Sequence, residues 1–248
     1  MSNVLLHVKE LSVSFDGFVA LDLREFTLNE NELRVVIGPN GAGKTTFLDV
    51  LCGKTKPDRG KARFGNLDLT RLSEDTIVEA GVGRKFQTPS VFTSLSVFEN
   101  LMLAVKTDRG VFASLIARLS NEHKDRIEAA AEQTGLSDHL HTEAGSLSHG
   151  QKQWLEIAMV ILQDPKLFLV DEPAAGMTDE ETVKTGDLLE RLSENHAIIV
   201  IEHDMEFVRQ IARTVTVLHE GKILVEGPMK QVQNDPRVIE CYLGSAHN

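Results

Sequence analysis

The residues best suited to chemistry are Gly38 to Thr45, which read Gly-Pro-Asn-Gly-Ala-Gly-Lys-Thr and satisfy the pattern G-x-x-x-x-G-K-[ST]. A chain of phosphates needs many donors at short range, and glycines let a loop turn its backbone N–H groups inward without Cβ atoms in the way. Lys44 would reach the β- and γ-phosphates, and the Thr45 hydroxyl would bind Mg²⁺. The pattern therefore predicts a nucleotide site. Its residues are Gly38, Asn40, Gly41, Gly43, Lys44, Thr45 and Thr46.

A pair of carboxylates follows an apolar run elsewhere in the chain. Leu167 to Val170 are apolar, and Asp171 and Glu172 come directly after them. In α/β sheets, ligands bind at the carboxyl ends of the strands. Asp171 would therefore hold Mg²⁺ through water, and Glu172 would polarise the water that attacks the γ-phosphate. On its own such a run is more often a strand that simply leaves the core, so the prediction depends on the phosphate loop.

Short apolar runs indicate the strands that position these groups. Four or five consecutive apolar residues are too few for a helix and are typical of a strand buried on both faces of a parallel sheet. The runs are Leu33 to Ile37, which is interrupted by Arg34, Leu167 to Val170, Ala197 to Ile201 and, more weakly, Val215 to Leu218, which is interrupted by Thr216. Helical patterns follow the first three, which favours an α/β fold with a mostly parallel sheet.

Two other regions have a different pattern. Residues 4–35 alternate loosely between apolar and polar, which predicts an N-terminal antiparallel β subdomain. Residues 88–145 lack strand-like runs and have helical periodicity instead. Helices are expected there over 97–105, 111–119 and 122–134. We therefore expect a nucleotide-binding core over 1–87 and 146–248, interrupted by an inserted α-helical subdomain over 88–145.

The composition argues against several classes of protein. The 248 residues include 37 acidic and 26 basic side chains, and this formal net charge of -11 has the wrong sign for a nucleic-acid partner. No apolar stretch approaches the ~20 residues that span a bilayer, and the N-terminus lacks the features of an export signal. Cys52 and Cys241 are far apart and match no disulfide or zinc pattern. A cytoplasmic location is expected.

A pentapeptide about twenty residues before the acidic strand carries a family resemblance. Leu147 to Gln151 read Leu-Ser-His-Gly-Gln, which resembles the Leu-Ser-Gly-Gly-Gln signature of the ATP-binding cassette family, with His149 at a tolerant position. In that family the signature caps the γ-phosphate of an ATP bound by the opposite subunit of a head-to-tail dimer. The resemblance implies this role for Ser148, Gly150 and Gln151. The alternative is an ordinary helix start with Ser148 as its N-cap.

The resemblance covers nearly the whole chain and implies further site residues. Gln87 would touch Mg²⁺ and the attacking water, and His203 would contact the γ-phosphate. Phe15 would stack on adenine, with Phe18 as its competitor and core packing as the alternative for both. A lone Gln or His at such positions is otherwise more often a surface or structural residue. Thr178 departs from the family, which commonly has Asp there, and this bears on how two subunits communicate.

Longer segments narrow the resemblance. Arg84 to Phe92, Val97 to Leu101 and Ala175 to Thr182 resemble the ATP-binding subunits of branched-chain amino acid importers, and most of all the urea branch of that group. The resemblance implies an ATP hydrolase that uses ATP and Mg²⁺ on the inner face of the cell membrane. Its implied partners are integral membrane permease subunits, a second cassette and, indirectly, a periplasmic solute-binding protein. The solute would be urea, a short-chain amide or a branched-chain amino acid.

Apolar side chains near the start of the helical subdomain suggest a contact with a membrane subunit. Val91, Phe92 and Phe98 could line a groove for a short helix of that subunit, and packing inside the subdomain is the alternative. The rival function is a non-transport cassette ATPase in repair, translation or cofactor assembly. Such proteins usually carry a long coiled-coil insertion, tandem cassettes or a basic surface, which the sequence does not show. A phosphate-loop kinase or GTPase would have no reason to contain the signature.

Overall fold

The computed structural model describes residues 3–85, 90–105 and 120–244. Within these ranges the strands are β1 (Val4–Phe15), β2 (Phe18–Asn29), β3 (Leu33–Ile37), β4 (Arg59–Phe64), β5 (Leu67–Asp68), β6 (Val82–Lys85), β7 (Leu167–Asp171), β8 (Ala197–Ile201), β9 (Thr214–His219) and β10 (Lys222–Gly227). The α-helices are α1 (Lys44–Leu51), α2 (Glu74–Glu79), α3 (Val97–Ala104), α4 (Asn121–Gln133), α5 (His149–Ile161), α6 (Asp179–Leu192), α7 (Met205–Ile211), α8 (Met229–Val232) and α9 (Pro236–Gly244). Gln87 and the helix expected over 111–119 lie outside the described residues.

The larger sheet of the described chain has six strands in the order β10-β9-β3-β8-β7-β6. Neighbouring strands from β9 to β6 pair in parallel, whereas β10 is antiparallel to β9. Every residue of β3, β7 and β8 is buried, because both faces of the sheet are covered. This double burial explains why β7 and β8 are apolar apart from Asp171, and β3 apart from Arg34. The predicted α/β fold with a mostly parallel sheet is confirmed.

A smaller antiparallel sheet covers one face of the larger sheet. Its strand order in the described residues is β2-β1-β4-β5, and β1 and β2 form a hairpin in which Phe15 pairs with Phe18. Side chains from β2, α1 and β7 meet in one apolar cluster, for example Leu23, Phe47 and Leu169. The predicted antiparallel subdomain is therefore confirmed, and it is larger than expected because β4 and β5 belong to it.

Helices α3, α4 and α5 contribute to the apolar cluster on the other face of the larger sheet. Leu101, Ile127 and Leu155 share this cluster with Val170 of β7. Helices α3 and α4 lie where the sequence predicts helices over 97–105 and 122–134, while the domain boundaries at residues 88 and 145 stay a prediction. Among the described residues, none of the helices is both long and apolar enough to cross a membrane.

The topology brings the ends of four parallel strands to one edge of the larger sheet. Strand β3 runs into the loop that starts at Gly38, β7 into Glu172, and β8 into Glu202 and His203. Strand β6 ends at Lys85 on the same edge. Ligands of open α/β sheets bind at this edge, so the fold gathers most of the predicted chemistry there.

Candidate nucleotide site

The loop between β3 and α1 has a backbone that only glycine fits at two positions. Gly38 has φ 156°, and a Cβ there would lie 2.2 Å from the carbonyl oxygen of Leu218 on β9. Gly43 has φ 96°, and its Cβ would lie 2.5 Å from the carbonyl oxygen of Ala20 on β2. Gly43 is also the N-cap of α1 and leaves the helix without a side-chain cap. The first N–H groups of α1 therefore suit an anionic ligand such as phosphate.

Lys44 lies inside this loop. Its side chain is buried, and its Nζ donates to the carbonyl oxygens of Gly38 at 2.7 Å and Pro39 at 3.1 Å. Burial lowers the pKa of Lys44, and the negative charges of Glu172 and Asp171 oppose that shift. A phosphate that enters the loop would thus meet a cation whose contact with water is already reduced by burial.

The other predicted loop residues lie at the tip of the loop and in the first turn of α1. Asn40 and Gly41 are exposed at the tip, and Gly41 has φ 79°. Thr45 is exposed and Thr46 half-buried at the start of α1. All the loop residues predicted from the pattern therefore lie in one short segment, the loop after β3 and the first turn of α1.

Two residues that are 31 positions apart in the sequence meet at the edge of the larger sheet where the parallel strands end. Glu172 follows β7 with φ 45°, an unusual conformation for a residue with a Cβ that is often found at functional sites. Its Oε1 lies 3.4 Å from Nδ1 of His203. The structure thus brings the predicted base and the predicted γ-phosphate contact side by side.

Asp171 is the last residue of β7 and only 5% exposed. Burial raises the pKa of Asp171, and the Arg84 guanidinium opposes that shift. The Thr45 hydroxyl and the Asp171 carboxylate offer hard oxygen ligands, the type that Mg²⁺ takes together with nucleotide phosphates. These residues fit Mg²⁺, and the third predicted ligand, Gln87, lies outside the described residues.

Sequence reasoning missed Glu202, which fixes the neighbouring loops. Its side chain is buried, and its carboxylate accepts N–H groups from Ala174 at 3.2 Å and His203 at 3.0 Å. Burial raises the pKa of Glu202, against the effect of these backbone donors. An acidic residue directly after the apolar run of β8 was the available signal. Glu202 therefore holds the backbone of the segment after β7 against that of His203.

The predicted signature residues lie at the start of α5. Ser148 is the N-cap: its Oγ accepts the Gln151 N–H at 3.1 Å, and the Gln151 Oε1 accepts the Ser148 N–H at 2.9 Å. The Ser148 hydroxyl also donates to Oε1 of Glu181 at 3.1 Å. A Cβ on Gly150 would lie 2.6 Å from the carboxyl carbon of Glu181. The start of α5 thus contacts a carboxylate, as its free donors and partial positive charge favour.

His149 has a structural contact of its own. Its Nε2 forms a hydrogen bond at 3.1 Å with the carbonyl oxygen of Ala175, in the segment between β7 and α6. Gly176 lies beside the same ring, since a Cβ there would be 3.2 Å from the imidazole. The histidine at the tolerant signature position therefore ties α5 to the segment that follows Glu172.

Thr178, the residue that departs from the family pattern, is the N-cap of α6. Its Oγ1 accepts the Glu181 N–H at 3.3 Å, and Oε2 of Glu181 accepts the Thr178 N–H at 3.0 Å. This reciprocal pair is a capping box. Threonine therefore serves as the N-cap of α6, a role that aspartate also fills well.

Replacing Thr178 with alanine is expected to lower the free energy of unfolding by about 1 kcal/mol, because an N-cap side chain contributes about that much. For a chain of this size the melting temperature should fall by roughly 2–4 °C. Differential scanning calorimetry measures the shift, and Thr178→Ser, which keeps the hydroxyl, serves as the control. Equal melting temperatures for the alanine variant and the parent would show that the capping box does not stabilise α6.

Phe15 and Phe18 lie at the tip of the β1–β2 hairpin and are 49% and 68% exposed. Core packing, the alternative considered for both, is therefore wrong. Ala20, two residues after Phe18, is the residue whose carbonyl approaches Gly43. Phe18 begins the strand that contacts the phosphate loop, and Phe15 pairs with it from the end of β1, so both exposed rings could stack on a base.

Apolar side chains near α3 divide between core and surface. Val91 and Phe98 pack against the large apolar cluster, in line with the packing alternative for these two. Phe92 is 56% exposed, and Leu103 of α3 is exposed to a similar degree. Phe92 and Leu103 thus each present an exposed apolar side chain in this region.

Comparison with known proteins gives similarity over the full length of the chain. A family model described as ABC transporter matches residues 21–175, and one described as branched-chain amino acid ATP-binding cassette transporter matches residues 222–248. The high-affinity branched-chain amino acid transport ATP-binding protein LivG of Escherichia coli is 36% identical, and BraF of Pseudomonas aeruginosa, of the same description, is 34% identical. Both matches cover 99% of this chain and 100% of the relative.

A solved structure has the same fold. The ADP conformation of an ATP-binding cassette of an ABC transporter superposes with a TM-score of 0.85 and 28% identity, over 97% of this chain and 99% of the other. A nucleotide-free cassette from an ABC transporter gives the same TM-score and identity over 96% and 98%. The cassette fold thus extends through both sheets and the helices between them.

Proposed function

Since the chain belongs to the ABC transporter family, as an ATP-hydrolysing ATP-binding subunit of the importer type, we propose that it drives import of a small polar solute through a partner permease. The observation that carries this proposal is the full-length similarity to two proteins named for branched-chain amino acid transport. A non-transport cassette ATPase, the rival from the sequence, has no comparable support.

The proposed reaction is the attack of water on the γ-phosphate of ATP. Glu172 polarises the water. His203, whose Nδ1 lies 3.4 Å from Oε1 of Glu172, contacts the γ-phosphate. Lys44 and the first N–H groups of α1 bind the β- and γ-phosphates. Asn40, Gly41 and Thr46 complete the loop around the phosphates, and Phe15 stacks on the adenine. In this scheme the positive charge that meets the phosphates comes from Lys44 and the start of α1.

Mg²⁺ would be held by Thr45, Asp171 and Gln87. When bound, it would neutralise part of the phosphate charge. The role of the chain is then to keep these oxygen ligands in place relative to Lys44. Both Thr45 and Lys44 lie in the first turn of α1, so their relative position is fixed by the helix.

We also propose that two cassettes pair head to tail, so that Ser148, Gly150 and Gln151 meet a nucleotide bound by the partner. Support comes from the layers of the fold. Helix α1 packs on the face of the larger sheet that the antiparallel sheet covers, and α5 packs on the opposite face. Because the sheet lies between the two helices, the start of α5 is more readily reached by a partner's phosphate loop than by its own.

The permease contact is proposed at the exposed apolar side chains of Phe92 and Leu103. Phe92 follows Gln87, the residue proposed to contact Mg²⁺, by five positions in the sequence. A membrane helix docked there would respond to closure of the nucleotide site. The proposed location is the cytoplasmic face of the cell membrane, and a periplasmic solute-binding protein would act through the permease alone.

The proposed solute is a branched-chain amino acid, urea or a short-chain amide. The names of the relatives favour the first, whereas the sequence from Arg84 to Phe92 favours the urea branch. The permease and the solute-binding protein select the solute, so direct uptake measurements decide between these.

Purification of the tagged chain from its native cells is expected to recover an integral membrane protein, and vesicles containing the complex should take up one solute class in an ATP-dependent way. Labelled leucine, urea and acetamide test the three classes.

Phe92→Ser should lose most of the membrane partner, because it removes an exposed apolar contact. Val78→Ser, at a position 46% exposed on α2, is the matched control. Recovery of ribosomes or repair proteins with no membrane partner would contradict the transport function.

A further inference from the structure

Arg84 is a buried cation near the edge of the larger sheet that carries Asp171 and Glu172. The sequence alone assigned no role to Arg84. It lies on β6 with a side chain only 6% exposed. Its Nη1 donates to Oδ1 of Asp49 at 2.5 Å, and its Nη2 lies 3.5 Å from Oδ2 of Asp171. A guanidinium presents a rigid set of donors that can serve two carboxylates at once. Arg84 therefore bridges two carboxylates from different elements.

The two carboxylates belong to the two elements proposed to hold Mg²⁺. Asp171 ends β7. Asp49 lies on α1 four residues after Thr45, so the two share one face of the helix. Strand pairing fixes the position of Arg84 along the sheet, since Arg84 is in register with Leu169 of β7. Arg84 thus connects the helix that carries Thr45 with the strand that carries Asp171.

Alternation along the strands gives Arg84 and Asp171 the same side of the sheet. Leu169, two residues before Asp171, and Val82, two residues before Arg84, both belong to the apolar cluster that surrounds α1. Side chains two apart on a strand share a face. The bridge is therefore part of the packed layer between α1 and the larger sheet, where a charge that loses its partner is strongly unfavourable.

We propose that Arg84 is a positioning residue: it fixes the carboxylate of Asp171 relative to α1 and thereby sets how tightly the site holds Mg²⁺ with the nucleotide, without touching either. The inference rests on the proposed role of Asp171 as a Mg²⁺ ligand. It predicts that the bridge matters for the metal dependence of nucleotide binding and not for nucleotide binding in general.

The test is binding of a fluorescent, non-hydrolysable ATP analogue to the full-length chain at fixed pH, titrated with Mg²⁺ and repeated in EDTA. Arg84→Met should raise the Mg²⁺ concentration for half-maximal binding by about tenfold, the factor for one hydrogen bond to a charged group. Affinity in EDTA should change less than twofold. Arg84→Lys, which can serve one carboxylate at a time, should give an intermediate shift.

A second variant separates positioning from folding. Asp49→Asn removes the charge that anchors Arg84 to α1 and lies at a partly exposed side chain. It should shift the Mg²⁺ dependence in the same direction, and the double variant with Arg84→Met should show less than the sum of the two effects, as expected for residues acting as one unit. Arg59→Met breaks an exposed bridge to Asp22 in the antiparallel sheet and is the matched control.

The outcomes distinguish this inference from the proposed site. If Asp171→Asn leaves the Mg²⁺ dependence unchanged, Asp171 is not a ligand and both proposals fail. If Asp171→Asn shifts it but Arg84→Met does not, or if Arg84→Met weakens binding equally in EDTA, the positioning role alone is overturned. Full additivity of Asp49→Asn and Arg84→Met would also overturn it.

Discussion

Replacing Glu172 with glutamine is expected to remove most ATP turnover and to leave ATP binding intact. The amide has the same shape but cannot take a proton, and a positioned general base contributes about 10²–10⁴-fold to rate. Glu172 follows β7 with a positive φ, beside His203, and donates its own N–H to the Ile201 carbonyl at 3.0 Å. The backbone that presents the carboxylate is thus held independently of its charge.

The measurement is phosphate release at saturating ATP, together with an equilibrium titration of ATP. Glu190→Gln, the same exchange at an exposed position of α6, should keep full activity. A Glu172→Gln chain that turns over within about threefold of the parent would exclude Glu172 as the base, since a base is worth far more than that.

Replacing Lys44 with methionine is expected to weaken ATP binding by about 10–150-fold, which corresponds to the 1.5–3 kcal/mol of hydrogen bonds to a charged group. The stability of the nucleotide-free chain should change little. Methionine keeps the buried stem, and loss of the hydrogen bonds to Gly38 and Pro39 is offset by removing a cation whose pKa is lowered by burial.

Isothermal titration with ATP and chemical denaturation without it give the two quantities separately. Lys56→Met is the control, because Lys56 is exposed and also donates to a backbone carbonyl, that of Leu72. A Lys44→Met chain that binds ATP as tightly as the control would exclude the loop between β3 and α1 as the phosphate site. A chain that fails to fold would instead assign Lys44 a structural role.

The central strands β3, β7 and β8 could be predicted from the sequence to within one residue, whereas β6 was not among the predicted runs. Leu33–Ile37 and Ala197–Ile201 have the bounds that their apolar runs indicate. Strand β4 could not be predicted, because only Ala62 and Phe64 of its six residues are buried and its other positions are polar or glycine. A strand with one covered face leaves a weaker apolar pattern than a strand buried on both faces.

The composition of the site was easier to predict than its contacts. The phosphate loop and the acidic pair follow from local patterns, whereas the 3.4 Å approach of Glu172 to His203 depends on β8 lying next to β7. The capping box at Thr178 and Glu181 has a local sequence signal, T-x-x-E at the start of a helix. The bridge through Arg84 requires the register of β6 on β7, which no local pattern encodes.

The contacts at the start of α5 have a mechanical consequence. Ser148 is hydrogen-bonded to Glu181 of α6, and His149 to the carbonyl of Ala175, so the segment that follows Glu172 is joined to α5 at two points. Segments joined at two points turn together rather than slide past each other. A neighbouring molecule that displaces α5 should therefore also turn the backbone that follows Glu172, the proposed base.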